Sequence, residues 1–271
     1  MPQSAIRQVY SVADLRDWAA ATAGLETPVR LAVLGDPVAH SASPPMQNAA
    51  LEALGIMARY ARIHVRPEEL PEALRLAANE RFIGVNLTIP HKAAALPLLG
   101  AVDAHAAILG ALNTVRVEPD GTLRGFNTDG AGFVNAVRAE FGLELAGARV
   151  LILGAGGGAG RAFAAECVLA GCRLVGLVNR TQAKARTLAQ ELGALARGRG
   201  PVGGVDPVVE AIPWKPVALA AAVRRVDLVV NASSLGLQHS DPSPLTAAQL
   251  SSRPYVFDTV YRADQTPTAL G

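Results

Sequence analysis

The run Gly154-Ala155-Gly156-Gly157-Gly158-Ala159 could bind a phosphate-bearing cofactor in this 271-residue chain. It fits the spacing G-x-G-x-x-A. It follows an apolar stretch at 150–153 and opens a helical pattern, the context in which such a loop binds a dinucleotide. The first glycine makes the tight turn and the second lets the backbone approach a pyrophosphate. The third small residue, Ala159, lets helix and strand pack closely. The helix N-terminus then offers N–H groups to the phosphates. The next strand pattern ends at Asn179-Arg180-Thr181, with Lys184 one helical turn further. An acidic residue at this offset suits the ribose 2′-hydroxyl of NAD, whereas an arginine suits the 2′-phosphate of NADP. Arg180 and Lys184 also read as ordinary surface charges, and their offset from the glycine loop favours the phosphate reading.

A second group of short polar residues precedes this loop: Ser41, Ser43, Asn86, Thr88, Asn113 and Asp129, with Lys92 among them. Ser41 and Ser43 stand before Pro44-Pro45 and read as turn or helix-cap residues as well as ligand groups. Asn127-Thr128-Asp129 reads as a helix N-cap. Asn86 and Thr88 alternate on a strand and therefore face one side. Burying both without partners is costly, which favours a ligand-facing role. The five histidines show no convergent spacing and are assigned no chemistry. Cys167 and Cys172 lack a zinc-ligand pattern and read as two buried, reduced thiols of a cytoplasmic protein.

These residues need elements to hold them. Ser11 caps a helix through about Ala23, with Val12, Leu15 and Trp18/Ala19 on one face. Strands are expected at 30–35, 59–65 and 82–89, and helices at 45–54, closed by Gly55, and from Pro67. This alternation argues a parallel sheet with covering helices. Segments 113–117 and 123–126 read as a hairpin around Pro119-Asp120-Gly121. A helix at 129–141 reads as the connection between two lobes. Beyond it lie strands at 150–153, 174–178, 227–230 and 255–260, a helix to Ala170, a helix capped by Thr181 and a Gly/Pro loop at 197–207. The fold class is α/β and two-lobed. An N-terminal α/β domain (1–128, with 262–271 returning to it) precedes a Rossmann-like doubly wound domain (129–261).

Several segments together resemble the shikimate dehydrogenase family from about residue 30 onward. They are Gly35-Asp-Pro-Val-Ala-His-Ser-Ala-Ser-Pro44, Gly84-Val-Asn-Leu-Thr-Ile-Pro-His-Lys92, Gly110-Ala-Leu-Asn-Thr114 and Gly125-Phe-Asn-Thr-Asp-Gly130. The glycine loop, Asn179-Arg-Thr181, Asn231-Ala-Ser-Ser234 and Asp258-Thr-Val-Tyr261 continue the series. The resemblance implies reversible reduction of 3-dehydroshikimate to shikimate with NADP, a step toward chorismate and the aromatic amino acids, in a cleft between lobes. It implies that Ser41 and Ser43 bind the substrate carboxylate. Asn86, Thr88, Asn113 and Asp129 hold ring hydroxyls, Lys92 and Asp129 form the catalytic pair, and Tyr261 lines the substrate pocket. Gly154 to Ala159, Asn179, Arg180, Thr181, Lys184, Asn231 and Ser233 hold the cofactor. The chemistry agrees: a small polyhydroxylated anion needs short donors and acceptors. Hydride arriving at a ketone leaves charge on oxygen that a lysine ammonium can stabilise. Related readings are a quinate/shikimate dehydrogenase of broader substrate or NAD use, and a catalytically silent ligand-binding relative.

The chain departs from the family pattern in three places. Its glycine loop is one residue longer, and Thr259 replaces a bulkier apolar residue beside the nicotinamide. Thr266-Pro267-Thr268-Ala269-Leu270 stops short of a further helical segment that contributes a glutamine and a glycine. The corresponding expectation is a protein that binds NADP⁺ but turns over shikimate poorly. Net charge is +2 from 25 basic and 23 acidic residues, which gives no electrostatic reason to invoke nucleic acid. No apolar run reaches the roughly 18–20 residues of a membrane span. No basic segment followed by an apolar core marks a secretory leader. The expected partner is a small-molecule substrate, with a homodimer as the expected assembly.

Overall fold

The computed structural model describes residues 7–201, 204 and 206–261, which divide into two compact units at Thr128/Asp129. The proposed return of 262–271 to the first domain lies outside the described residues.

The first unit opens with β1 (Tyr10–Ser11), α1 (Val12–Arg16) and α2 (Trp18–Ala21). Ser11 caps α1 in a reciprocal box with Asp14. One continuous helix was expected here. Asp17 leaves helical geometry (φ −134°, ψ 63°), ends α1, and caps α2 through its side chain. The break keeps Trp18 buried between Tyr10 and Phe82, while Ala19 is exposed. Then follow β2 (Val29–Gly35), α3 (Ser43–Ala53), β3 (Arg59–His64), a 3₁₀ turn at Pro67–Glu69 and α4 (Leu70–Asn79). Next come β4 (Gly84–Leu87), α5 (His91–Ala94), β5 (Ala101–Val102), α6 (Ala104–Leu109), β6 (Thr114–Val117) and β7 (Leu123–Phe126).

The seven strands run in the order β1-β3-β2-β4-β6-β7-β5. The expected parallel pairing holds for β1, β3, β2 and β4 and again for β5 on β7, but not around β6. The hairpin β6–β7 is antiparallel, as its tight turn at Gly121 (φ +85°) requires, and β6 docks antiparallel on β4. That docking sets Asn86 opposite Thr114. The core is apolar and includes Leu15, Leu34, Ile63, Leu74, Leu87 and Leu112.

The second unit begins with α7 (Asp129–Phe141), followed by β8 (Arg149–Leu153), α8 (Gly158–Leu169) and β9 (Leu174–Val178). It continues through α9 (Gln182–Arg199), β10 (Val208–Ile212), α10 (Pro216–Val223), β11 (Leu228–Asn231) and β12 (Tyr255–Asp258). All strand pairs are parallel, in the order β10-β9-β8-β11-β12. In order of appearance this is 3-2-1-4-5, the doubly wound arrangement. The helix α7 packs within this unit, its Phe133 lying on Phe163 of α8 and Phe257 of β12. The expected loop from Arg197 is helical to Arg199, and Gly200 (φ +82°) ends it. No helix among the described residues is long and apolar enough to cross a membrane.

Candidate functional site

In the first unit the polar residues gather after β2, at the C-terminal end of β4 and just before β6. Past Gly35 the chain turns into α3. A side chain at Gly35 would collide with the Thr88 methyl, so β2 and the end of β4 lie in direct contact. Ser41 is buried, and its Oγ accepts from the Ser43 amide (3.3 Å) and donates to Ser43 Oγ (3.2 Å). Its carbonyl accepts from the Arg62 guanidinium (2.6 and 2.9 Å). Ser43 is the first residue of α3 and Ala42 its N-cap, which makes no side-chain bond; the first amide of the helix is received by Ser41 Oγ instead.

Asn86 lies on β4, half-buried, whereas Thr88 stands just beyond the strand, its amide still donating to Leu34 O (3.0 Å). Asn86 Nδ2 donates to Thr114 Oγ1 (3.0 Å) and Asn113 O (3.2 Å), and its Oδ1 accepts from the Tyr60 hydroxyl (2.7 Å). Asn113 Oδ1 accepts from Thr114 Oγ1 (3.0 Å) and the Thr128 amide (3.0 Å), and Nδ2 donates to Thr128 Oγ1 (2.9 Å). The Lys92 carbonyl accepts from the Leu112 amide (2.8 Å), which fixes the α5 backbone one residue from Asn113. Lys92 itself is half-buried. Its neighbour His91 is fully buried, with Nε2 held by Val65 O (2.8 Å), and burial lowers its pKa below the usual imidazole range. Ser41 is thus bonded to Ser43, and Asn86 to Asn113 directly and through Thr114, with Thr88 and Lys92 on the same segment as Asn86; together they form the polar strip of this unit. Asp129 begins α7, half-buried, directly after Thr128.

In the second unit, Gly154 (φ +82°) turns the chain off β8. It needs glycine twice over, because a Cβ there would also meet the Ser233 backbone. The Gly154 and Ala155 amides both donate to Val178 O (2.9 and 3.0 Å), and the Gly156 amide donates to Asn179 Oδ1 (3.2 Å). Gly157 is the N-cap of α8 and offers no side-chain acceptor, so the first turn of this 12-residue helix presents its N–H groups without a cap. The close-packing role predicted for Ala159 belongs to Gly160. Gly160 is fully buried against the Gly154 carbonyl, whereas Ala159 is only half-buried. Arg180, Thr181 and Lys184 are exposed at the start of α9. Thr181 occupies the N-cap position, but its side chain makes no capping bond.

Asn231, predicted to touch the cofactor, has no bonding capacity left in its side chain. Nδ2 donates to Asp258 Oδ1 (2.9 Å) and Leu235 O (3.2 Å), and Oδ1 accepts from the Ser233 amide (3.1 Å) and hydroxyl (2.7 Å). It shapes the turn after β11. Ser233 Oγ is engaged by Asn231 and the Leu235 amide (3.2 Å). Tyr261 is 52% exposed. Cys167 and Cys172 are free and buried. No cluster of three or more His, Cys, Asp or Glu side chains suited to a metal occurs among the described residues. Sequence reasoning missed Tyr60 and Thr114, which sit in ordinary strand patterns. It also missed Gly160, a small residue one position beyond the G-x-G-x-x-A spacing.

A doubly wound sheet with a glycine turn between its first strand and first helix, in one chain with a separate α/β unit carrying a polar strip, defines a two-unit dinucleotide-dependent protein. Residues 33–115 match the family model for the shikimate dehydrogenase substrate binding domain. A shikimate dehydrogenase (NADP(+)) of Geobacter metallireducens is 39% identical over 237 residues, covering 88% of this chain and 79% of that protein. The crystal structure of a Thermus thermophilus shikimate 5-dehydrogenase in complex with NADP(H) and shikimate superposes with a TM-score of 0.71 at 40% identity, covering 87% of this chain and 80% of that one. The shikimate dehydrogenase of Aquifex aeolicus gives 0.73 at 33% identity, covering 86% and 80%. The chain belongs to the shikimate dehydrogenase family.

Proposed function

We propose that this chain catalyses the reversible, NADP-dependent reduction of 3-dehydroshikimate to shikimate. The observation that carries the reading is the polar strip of the first unit within a chain of this family. Ser41 and Ser43 bind the carboxylate of the substrate; Asn86, Thr88, Asn113 and Asp129 bind its hydroxyls; Tyr261 lines the pocket. Strip residues that already hold one another in place are preorganised for a small polar ligand and lose little freedom on binding.

The second unit fits NADP. Its uncapped α8 N-terminus follows a glycine turn, which suits a pyrophosphate. The segment after β9 carries Arg180 and Lys184 with no acidic residue. The residues that hold the cofactor are Gly154 to Gly158, Asn179, Arg180, Thr181 and Lys184, with Ala159 and Ser233 alongside. When bound, the nicotinamide supplies or accepts the hydride. Lys92 stabilises the negative charge that develops on the ring oxygen and exchanges its proton at Nζ; Asp129 holds the same hydroxyl. Cytoplasmic location belongs to the same reading, supported by the two free buried thiols. A homodimer is the proposed assembly, and sedimentation equilibrium measures it.

The test is absorbance of reduced nicotinamide with shikimate and quinate, each with NADP⁺ and NAD⁺. Turnover should be fastest with shikimate and NADP⁺. A preference for quinate or NAD⁺ would transfer the chain to the broader activity. Silence with all four pairs would defeat the enzymatic reading.

A further inference from the structure

Two residues outside the proposed ligand set hold that set together. Tyr60, on β3, is buried in a small apolar cluster with Val33, Val38, Leu51 and Ala58. Its backbone is clamped by Asn48 of α3, which accepts from the Tyr60 amide (2.8 Å) and donates to its carbonyl (2.9 Å). Its ring therefore has little freedom, and its hydroxyl donates to Asn86 Oδ1 at 2.7 Å. The Ser43 side chain lies near the same hydroxyl and acts on its pKa against the effect of burial. Burial pushes its pKa well above the ordinary phenol range, so it stays a protonated donor at any physiological pH. On the other side of Asn86, Thr114 Oγ1 accepts from Nδ2 (3.0 Å) and passes its own proton to Asn113 Oδ1 (3.0 Å).

A continuous series of hydrogen bonds results, Tyr60, Asn86, Thr114, Asn113, Thr128, and the bonded pair Ser41–Ser43 stands next to its Tyr60 end. Both N–H donors of Asn86 are engaged, at Asn113 O and Thr114 Oγ1, and a flipped amide would turn Oδ1 against the Asn113 carbonyl. The orientation of Asn86 is therefore fixed, and one acceptor lone pair on Oδ1 remains for a ligand hydroxyl.

We propose that Tyr60 and Thr114 are positioning residues that join the carboxylate-binding serines to the hydroxyl-binding asparagines, so that both ends of one small molecule are read by a single rigid strip. This rests on the shikimate reading above. The pair touches no reacting atom, and its effect falls on substrate recognition.

The experiment is steady-state kinetics of the full chain with Tyr60→Phe, Thr114→Val, Thr114→Ser and Ser43→Ala, alone and with Tyr60→Phe combined with Ser43→Ala. Loss of one hydroxyl from the strip should raise KM for shikimate about tenfold, with kcat changed much less. Thr114→Ser, which keeps the hydroxyl, should recover most of the loss seen in Thr114→Val. KM for NADP⁺ should not move. The double variant should lose less than the product of the single losses, because Ser43 and the Tyr60 hydroxyl are near neighbours. Shikimate KM values unchanged in Tyr60→Phe and Thr114→Val would overturn the inference. So would parallel rises in both KM values with a lowered Tm, which mark a merely structural role. A wild-type chain inert toward shikimate would overturn the functional reading and this inference with it, whereas an active wild type with unaffected variants overturns this inference alone.

Discussion

Lys92 follows the β4 end and a turn through Pro90, with its backbone carbonyl tied to Leu112. A side chain held from a fixed backbone can aim charge at one oxygen. Lys92→Ala should therefore lower kcat by about 10²–10⁴-fold with a smaller effect on shikimate binding; near-normal turnover in a folded variant would remove it from the mechanism. Arg180 is exposed, so its contribution comes from one charge-assisted contact. Arg180→Ala should raise KM for NADP⁺ about tenfold or more and leave that for NAD⁺ nearly unchanged. Equal effects on both cofactors would make the arginine structural. His91 governs stability. Its Nδ1 is buried without a hydrogen-bond partner, and burial depresses its pKa. Unfolded, it takes up a proton near pH 6.5. Below that pH the unfolded chain binds more protons than the folded one, so the contribution of His91 is complete above about pH 6.5 and is lost as pH falls. Tm measured between about pH 7.5 and 5 should fall less steeply in His91→Gln than in the wild type. Identical slopes would place that titration elsewhere.

At the scale of elements, the dinucleotide turn depends on how closely α8 approaches the end of β8. Gly160 lies against the Gly154 carbonyl, and a Cβ there would overlap backbone that has no room to move. Gly160→Ala should cost about 1–3 kcal/mol by urea unfolding and weaken NADP⁺ binding in a calorimetric titration. Ala159→Gly, at a half-buried position, should do much less. The reverse ranking would restore Ala159 to the packing role. Elements with strong periodicity or clear breakers were legible in the sequence: α7 begins at Asp129 and β9 spans Leu174–Val178, as the pattern says. Others were not. The α10 segment Pro-Val-Ala-Leu-Ala-Ala-Ala-Val is apolar on every side and shows no helical stripe, and β10 follows a Gly/Pro run that masks it. Gly193 and Gly198 sit inside α9, where flanking helix formers override the breakers that suggested a loop. β5 has two residues, too few for any pattern. Asn86 was legible because it interrupts an apolar strand, whereas Ser41, Ser43 and Asn113 were legible only as parts of a joint motif pattern. Tyr60 was hidden because an aromatic residue on a strand looks like core. Asn231 was assigned to the cofactor because its four partners come from chain neighbours and from Asp258, which spacing does not reveal.

Each unit of the molecule has its own apolar core, one around Leu34, Ile63 and Leu87, the other around Leu151, Val178 and Val229. Amide exchange in such a molecule reports local opening, and a ligand slows it most where it binds. A ligand present at 100 times its dissociation constant stabilises its site by about 2.7 kcal/mol, or roughly 100-fold in the local opening equilibrium. The two ligands of the proposed reaction should therefore leave different footprints in hydrogen–deuterium exchange. NADP⁺ alone should protect peptides covering Gly154 to Arg161 and Asn179 to Lys184, where the uncapped helix start and the exposed cations lie. Shikimate alone should protect those covering Ser41 to Ser43, Asn86 to Lys92 and Asn113 to Thr114, the strip joined by Tyr60. Peptides in β10 and α10 should change little with either ligand, since no proposed contact lies there. Protection of the polar strip by NADP⁺ but not by shikimate would reverse the assignment of the two units. Uniform slowing across the whole chain by either ligand would show instead that the units open together, and that the separate cores do not act as separate cooperative units.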